Sequence, residues 1–268
     1  MAPPLQICQT TPEVPAGQTA RGEDDMNIGW NMAAYMGVRA TKELDAVSHN
    51  LANASTAGFK RQLLHQWRLQ VPEPGPPGGQ RPAAYVDVLR RDFSQGALHN
   101  TENETDLAIQ GSGFFKVETP RGVRYTRHGC FQLNAEKQLV TREGYPVLGS
   151  NGPIALDSID QKFSIDQEGG VHLDGSISGQ LSVVDFPHLQ GLRAEGRNYF
   201  AANADSGEET PAQGARVLQG AVEESNVDQV AEAVALIDIQ RSFEAYLKVL
   251  DTFTEADRKM VDEVGRTA

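Results

Sequence analysis

The chain has 268 residues, 39 % of them hydrophobic, with 26 glycines, 14 prolines and a formal charge of −12 at pH 7. That acidic balance excludes a binder of nucleic-acid phosphates, which needs clustered Lys and Arg, and no apolar run reaches the ~18 residues of a membrane span. A modest apolar share with many turn formers suits a small β domain flanked by extended elements better than one large core.

Residues 1–25, with Pro3, Pro4, Pro15 and the acidic Glu23, Asp24 and Asp25, lack the basic and apolar regions of a secretory signal. They are expected to form a disordered leader, with Met26 a candidate natural start. From Asn27 to about Ser55, Trp30, Ala33, Gly37, Ala40, Leu44, Val47, Leu51 and Ala54 recur at alternating spacings of three and four, a coiled-coil-like seam. Ile28, Met32 and Tyr35 widen the apolar face, while Ala33, Gly37 and Ala40 keep the seam thin enough for close approach by another helix. Asn50 and Asn53 lie beside Leu51, where amides either fix register across a subunit contact or cap the helix end within the chain. The helix is expected to stop between Ser55 and Gly58, with Gly58 as a left-handed C-terminal cap and Phe59 burying one ring at the exit. The N-terminal helical segment is bounded at 26–66.

Residues 67–105 read as a hinge and short β linker, since the Pro/Gly-rich stretch 71–82 fits no regular element. From 106 to 220 the pattern is β, with short runs at 107–109, 114–118, 123–127, 130–133, 138–141, 146–148, 163–165, 170–173 and 181–186 between Gly and Asn turns. Gly111 and Gly113 fit a tight turn there, because the Lys-Ser or Lys-Thr of a phosphate loop is missing. Residues 191–214 read as a polar return loop. Ser225 or Asn226 then caps a helix that starts near Val227 and runs to about Val264 within the segment 221–268. Its seam is Leu236, Ile239, Phe243, Tyr246, Leu250, Phe253, Met260 and Val264, broken once at Asp257, with a second stripe at Val230, Val234, Ile237, Leu247 and Val249.

These residues predict an α+β chain: long N- and C-terminal helices forming a coiled-coil-like inner domain, and an intervening all-β outer domain. The C-terminal segment is net acidic and the N-terminal helical segment net basic, which gives their pairing modest electrostatic help. Two stripes per helix exceed what one helix pair buries. The expected partners are therefore copies of the same chain, stacked head to tail into an open tube, with helical ends that order only as subunits stack. The six histidines show no metal-ligand spacing, and Cys8 and Cys130 form neither a zinc nor a redox motif. Metal and cofactor are thus not expected. Asp166 and Glu168, or Asp185, would act as an acid/base pair only at a defined separation. The rival classes are a non-polymerising β binding or adhesion module and, last, an enzyme acting on cell-wall glycan.

Residues 49–60, HNLANASTAGFK, resemble the N-terminal motif of the bacterial flagellar rod and hook proteins. A second match runs over residues 106–115, DLAIQGSGFF, with Tyr125-Thr126-Arg127 and residues 139–144, LVTREG. A third comprises residues 224–228, ESNVD, with Gln240-Arg241 and Phe243-Glu244. The resemblance implies a non-enzymatic subunit of the flagellar rod, its terminal helices lining the inner layer and its β domain facing outward. It implies assembly through Ala33, Gly37, Ala40, Leu44, Val47, Asn50, Leu51, Asn53, Gly58, Phe59, Asn226, Val227, Leu236, Ile239, Phe243, Tyr246, Leu250 and Phe253. Partners would be copies of itself and adjacent rod proteins. Export through the flagellar type III apparatus, without a cleaved signal, would bring it to the rod where it crosses the periplasm. The length, the single β domain and the stretches FEAY (243–246) and EVGR (263–266) are most similar to proximal-rod members, with distal-rod members next. Cys130, Asn134 and the long leader depart from the family pattern.

Overall fold

The computed structural model describes residues 21–69, 84–156, 163–173, 176–196 and 198–267. Most of the expected leader, with Cys8, and the Pro/Gly stretch 71–82 lie outside the described residues.

Helix α1 spans Arg21–Ala52, starting before the Asn27 read from periodicity. Once a helix is nucleated, each added residue gains a backbone hydrogen bond, so propagation carries it past the end of the apolar pattern. Helix α2 spans Gln229–Thr267. Its N-cap is Asp228, not Ser225 or Asn226: Asp228 Oδ1 accepts the N–H groups of Val230 at 2.9 Å and Ala231 at 3.1 Å. Ser225 Oγ instead accepts the Val227 N–H at 3.3 Å.

After α1 the chain forms an antiparallel ribbon of β1 (Gln62–Leu69) and β2 (Ala84–Arg91). Residues 62–66, counted above with the helical segment, are thus strand; the alternation of Leu63, His65 and Trp67 with Gln62, Leu64 and Gln66 has the period of two that a ribbon needs. Then follow β3 (Leu98–Asn100), β4 (Leu107–Gln110), β5 (Phe114–Thr119) and β6 (Gly122–Thr126). Strand β5 lies centrally, paired antiparallel with β6 and with strands Val147–Gly149 and Val183–Asp185. Because successive side chains alternate across a sheet, its adjacent phenylalanines serve two cores. Phe115 and Val117 pack with Leu107, Phe131, Leu139 and Val171, and Phe114 with Tyr125, Phe186, Leu192 and Phe200.

The return stretch 191–214 is not a loop throughout. It contains strands Arg193–Glu195, Tyr199–Ala201 and Thr210–Pro211, and its buried Leu192 and Phe200 complete the Phe114 core. Their apolar signal is diluted by polar neighbours. Strands Arg216–Gln219 and Ala221–Glu223 then pair with β4 and β3 respectively.

The chain divides into two compact units. Residues 39–242 hold all the described strands and the adjoining helix ends, called here the helix roots. The described residues of the other unit are helical, 21–38 of α1 and 243–267 of α2. Within it Ala33 is buried, and a Cβ added to Gly29 would stand 2.9 Å from Cζ of Phe253, so that ring lies directly on the Gly29 backbone.

Candidate functional site

Below Ala52 the chain leaves α1 through tight turns, with Thr56 N–H donating to Asn53 O at 3.0 Å and Phe59 N–H to Thr56 O at 3.2 Å. Phe59 is fully buried, its ring centroid 5.4 Å from that of His49. Gly58 has φ +67°, the left-handed geometry expected, yet it is no helix cap. Its N–H donates to Glu223 O at 2.7 Å, and a Cβ there would stand 2.5 Å from the backbone of Arg127 and His128. The glycine is needed for contact with the β unit.

Asn50, 1 % exposed, clasps the first residue of β1 at two points: Nδ2 donates to Gln62 O at 2.8 Å and Oδ1 accepts Gln62 N–H at 2.7 Å. The same Nδ2 donates to Glu232 Oε2 at 3.3 Å, and Arg61 Nε donates to the other oxygen, Oε1. Glu232 is 1 % exposed, so this carboxylate on the first turn of α2 holds the exits of both helices together. Asn226 adds a second tie. Its Oδ1 accepts Arg61 N–H at 2.8 Å, and its Nδ2 donates to Asp92 O at 2.9 Å and Ser94 O at 3.2 Å. Asn53 is buried and donates locally, to His49 O at 2.8 Å. The amides of Asn50 and Asn53 are therefore engaged inside the chain.

Beneath this junction Glu223 accepts from Lys60 Nζ, from Arg127 Nη1 at 3.0 Å and from Gly96 N–H at 3.0 Å. Lys60 also donates to Ser94 O at 2.7 Å, and Arg127 Nη2 to Gly111 O at 2.7 Å. All three charged side chains are buried. Burial pushes the Lys60 ammonium and the Arg127 guanidinium below their ordinary pKa values, and the Glu223 carboxylate opposes the shift in both. Such a cluster gives little net stability over an apolar one, but removing a single partner is costly.

The seam positions are distributed unevenly. On α1 Ala33 and Ala40 are buried and Gly37, Leu44 and Val47 half-buried, as is Ala54 just past the helix end, whereas Leu51 is 36 % exposed and Trp30 47 %. At the root the buried line runs through Ala46, Asn50 and Asn53, one residue ahead of the heptad reading. A straight helix has 3.6 residues per turn, so a strict seven-residue repeat drifts around it. On α2 Leu236, Ile239, Phe243, Tyr246, Leu250 and Phe253 are all half-buried, while Val230, Val234, Ile237, Leu247, Val249 and Met260 are exposed. Val227 is buried ahead of the helix.

Sequence reasoning passed over Lys60, Arg61, Arg127, Glu223 and Glu232. A signal existed for Glu232, a carboxylate four residues before Leu236 in phase with the apolar seam. Lys60 and Arg127 close two of the motifs quoted above.

A cleft of about 820 Å³ lies in the β unit, lined by Arg121, Arg124, His128, Arg142, Tyr145 and Tyr199 among others. Glu195 accepts from Arg124 at 2.9 Å and 3.3 Å, which holds its carboxyl below the usual range. Burial raises the Glu143 carboxyl, but hydrogen bonds led by the Tyr199 hydroxyl outweigh it and the net shift is downward. Neither is poised as a proton donor. Asp166 accepts the Gly170 N–H across its own turn, and Asp185 accepts that of the next residue, Phe186. Burial also raises the thiol pKa of half-buried Cys130. Among the described residues no group of three or more His, Cys, Asp or Glu is placed to hold a metal.

Residues 108–173 match the family described as flagellar hook protein FlgE/F/G D1 domain, and residues 218–263 the one described as flagellar basal body rod FlgEFG protein C-terminal. The flagellar basal-body rod protein FlgF of Caulobacter vibrioides is 35 % identical over 228 residues, covering 84 % of this chain and 93 % of its own. FlgG of Buchnera aphidicola subsp. Schizaphis graminum is 34 % identical over 244 residues, 81 % of this chain and 92 % of its own. FlgG of Borreliella burgdorferi is 32 % identical over 252 residues, 85 % and 94 % respectively.

Proposed function

The chain belongs to the flagellar basal-body rod protein family, whose members are structural and not enzymatic, and from that premise we propose that it builds the rod by self-association of its terminal helices. It is a structural subunit of that rod and assembles with other rod components. The finer reading is that α1 and α2 form a coiled-coil-like inner layer with those of neighbouring copies while the β unit faces outward. One observation carries it: α2 presents a half-buried seam from Leu236 to Phe253 and leaves further apolar side chains exposed, Val230, Val234 and Ile237 on the opposite face and Leu247 and Val249 on the two flanks. Each large side chain of this kind gains roughly 1.5–3 kcal/mol on burial, so the exposed residues favour further contacts between subunits.

The buried junction gives Asn50, Gly58, Phe59 and Asn226 their part in this reading. They lock the roots of the two helices to each other and to the strands, and Ala33, Gly37, Ala40, Leu44, Val47 and Leu51 make the helix contacts. Export through the flagellar type III apparatus without a cleaved signal, and a place in the proximal rod where it crosses the periplasm, complete the proposal. Chain length and the single β unit support the proximal position.

The test is Leu250→Asp in the full-length chain. It should abolish sedimentable polymer and motility while the near-ultraviolet circular dichroism of the β unit persists. A working rod built from this variant would refute self-association through the seam.

A further inference from the structure

The β1–β2 ribbon has two unlike faces. Register places Leu64 opposite Leu89, Gln62 opposite Arg91 and Gln66 opposite Asp87 on one of them. That face is held to the β unit by Arg91, whose Nη1 donates to Lys60 O at 3.3 Å and whose guanidinium lies 5.5 Å from the Phe200 ring. The other face carries the pairs Leu63 with Arg90, His65 with Val88, and Trp67 with Val86. On it Leu63 is 39 % exposed, Trp67 49 %, Val86 42 % and Val88 41 %. Arg90 sits 4.9 Å over the Trp67 ring and has no ion-pair partner among the described residues.

We propose that this ribbon face docks the exposed stripe Val230, Val234 and Ile237 of α2 from a second copy of the chain. The stripe is 75 %, 55 % and 49 % exposed and lies on the α2 root, opposite the side that Glu232 and Leu236 turn inward. Dimensions agree: from Val230 to Ile237 a helix rises about 10 Å, and from Leu63 to Trp67 a strand rises about 13 Å. Charges agree as well. Among the described residues the ribbon face offers Arg90 and no carboxylate, and the exposed Asp238 borders the stripe next to Ile237. The two surfaces are different parts of one chain, so the contact is heterologous and repeats without closing, as an axial subunit requires. This inference rests on the self-association proposed above and names a contact that the helix seams do not supply.

The experiment uses full-length chains carrying Cys8→Ser and Cys130→Ser, one with Val88→Cys and one with Val234→Cys, mixed under conditions where the parent chain sediments as polymer and treated with a short thiol cross-linker. The raised effective concentration at a real contact should make this pair cross-link at least about tenfold more than a control pair of Ile177→Cys with Val234→Cys; Ile177 is 73 % exposed and lies outside the ribbon. Each chain alone should give only background. Parity with the control overturns the contact, and so does self-cross-linking of Val88→Cys alone, which would mean ribbon on ribbon. Polymer without the mixed cross-link defeats this contact and leaves self-association standing. Failure of the parent chain to sediment defeats self-association and this contact with it.

Discussion

Asn50 and Glu232 lie 182 positions apart in the chain and meet in a buried hydrogen bond from Nδ2 to Oε2, which ties the exit of α1 to the first turn of α2. The amide is specific in this place because it donates to a carboxylate and a carbonyl while accepting from a backbone N–H.

Asn50→Asp should therefore be worse than Asn50→Ala. The aspartate keeps the acceptor but loses both donated bonds and sets a second carboxylate against Glu232. A loss of about 2–4 kcal/mol is expected from unsatisfied buried groups and like charge. Urea unfolding of both variants measures it, and equal losses would show that charge is not the issue.

Gly58→Ala should cost more than Gly144→Ala. Both glycines have positive φ, +67° and +87°, so both alanines carry backbone strain of order 1–3 kcal/mol. Only at Gly58 would the new methyl also meet the Arg127 and His128 backbone; around Gly144 nothing lies within 4 Å. Thermal unfolding midpoints should separate the two.

Glu223→Gln should destabilise the β unit by roughly 3–5 kcal/mol, because it leaves the buried Lys60 and Arg127 charges without their counter-ion. Combining it with Lys60→Met should restore part of the loss. A double-mutant cycle by urea unfolding gives the coupling directly.

Stability should fall at both ends of the pH scale, by opposite signs of linkage. Burial raises the Glu209 carboxyl, but hydrogen bonds from Lys116 and Tyr125 and the Lys116 charge outweigh it and leave its folded pKa below 4.5. Its contribution is present above the unfolded value and is lost as pH drops through the folded one. Burial, aided by bonds to Glu209 and Glu143, raises the Tyr125 and Tyr199 phenols above their ordinary 10.0. Their contribution is present below that value and lost as pH climbs through the raised folded values. Unfolding midpoints against pH, with Lys116→Met for the acid limb and Tyr199→Phe for the alkaline limb, check both signs.

Much of this architecture was legible from local pattern. The alternating strands of the β unit and the seam from Leu236 to Phe253 follow from periods that a single segment reveals. What escaped was non-local. Residues 62–66 sit in a strand only because β2 pairs with it, and Asp228 displaced the other caps because Asn226 is drawn to Arg61 and Ser94. Lys60, Arg127 and Glu223 are distant in the chain, and only the folded unit makes them one cluster. The Leu51 position failed for a geometric reason, the drift of a heptad on a 3.6-residue helix.

The most direct measurement is amide hydrogen exchange, read over residues 21–38, 107–186 and 243–267, on the full-length chain before and after assembly. Self-association through the terminal helices predicts slow exchange in the β strands throughout, with exchange in both helical segments fast in the soluble chain and slow in the polymer. Helical segments already protected in the soluble chain, and unchanged on assembly, would contradict it.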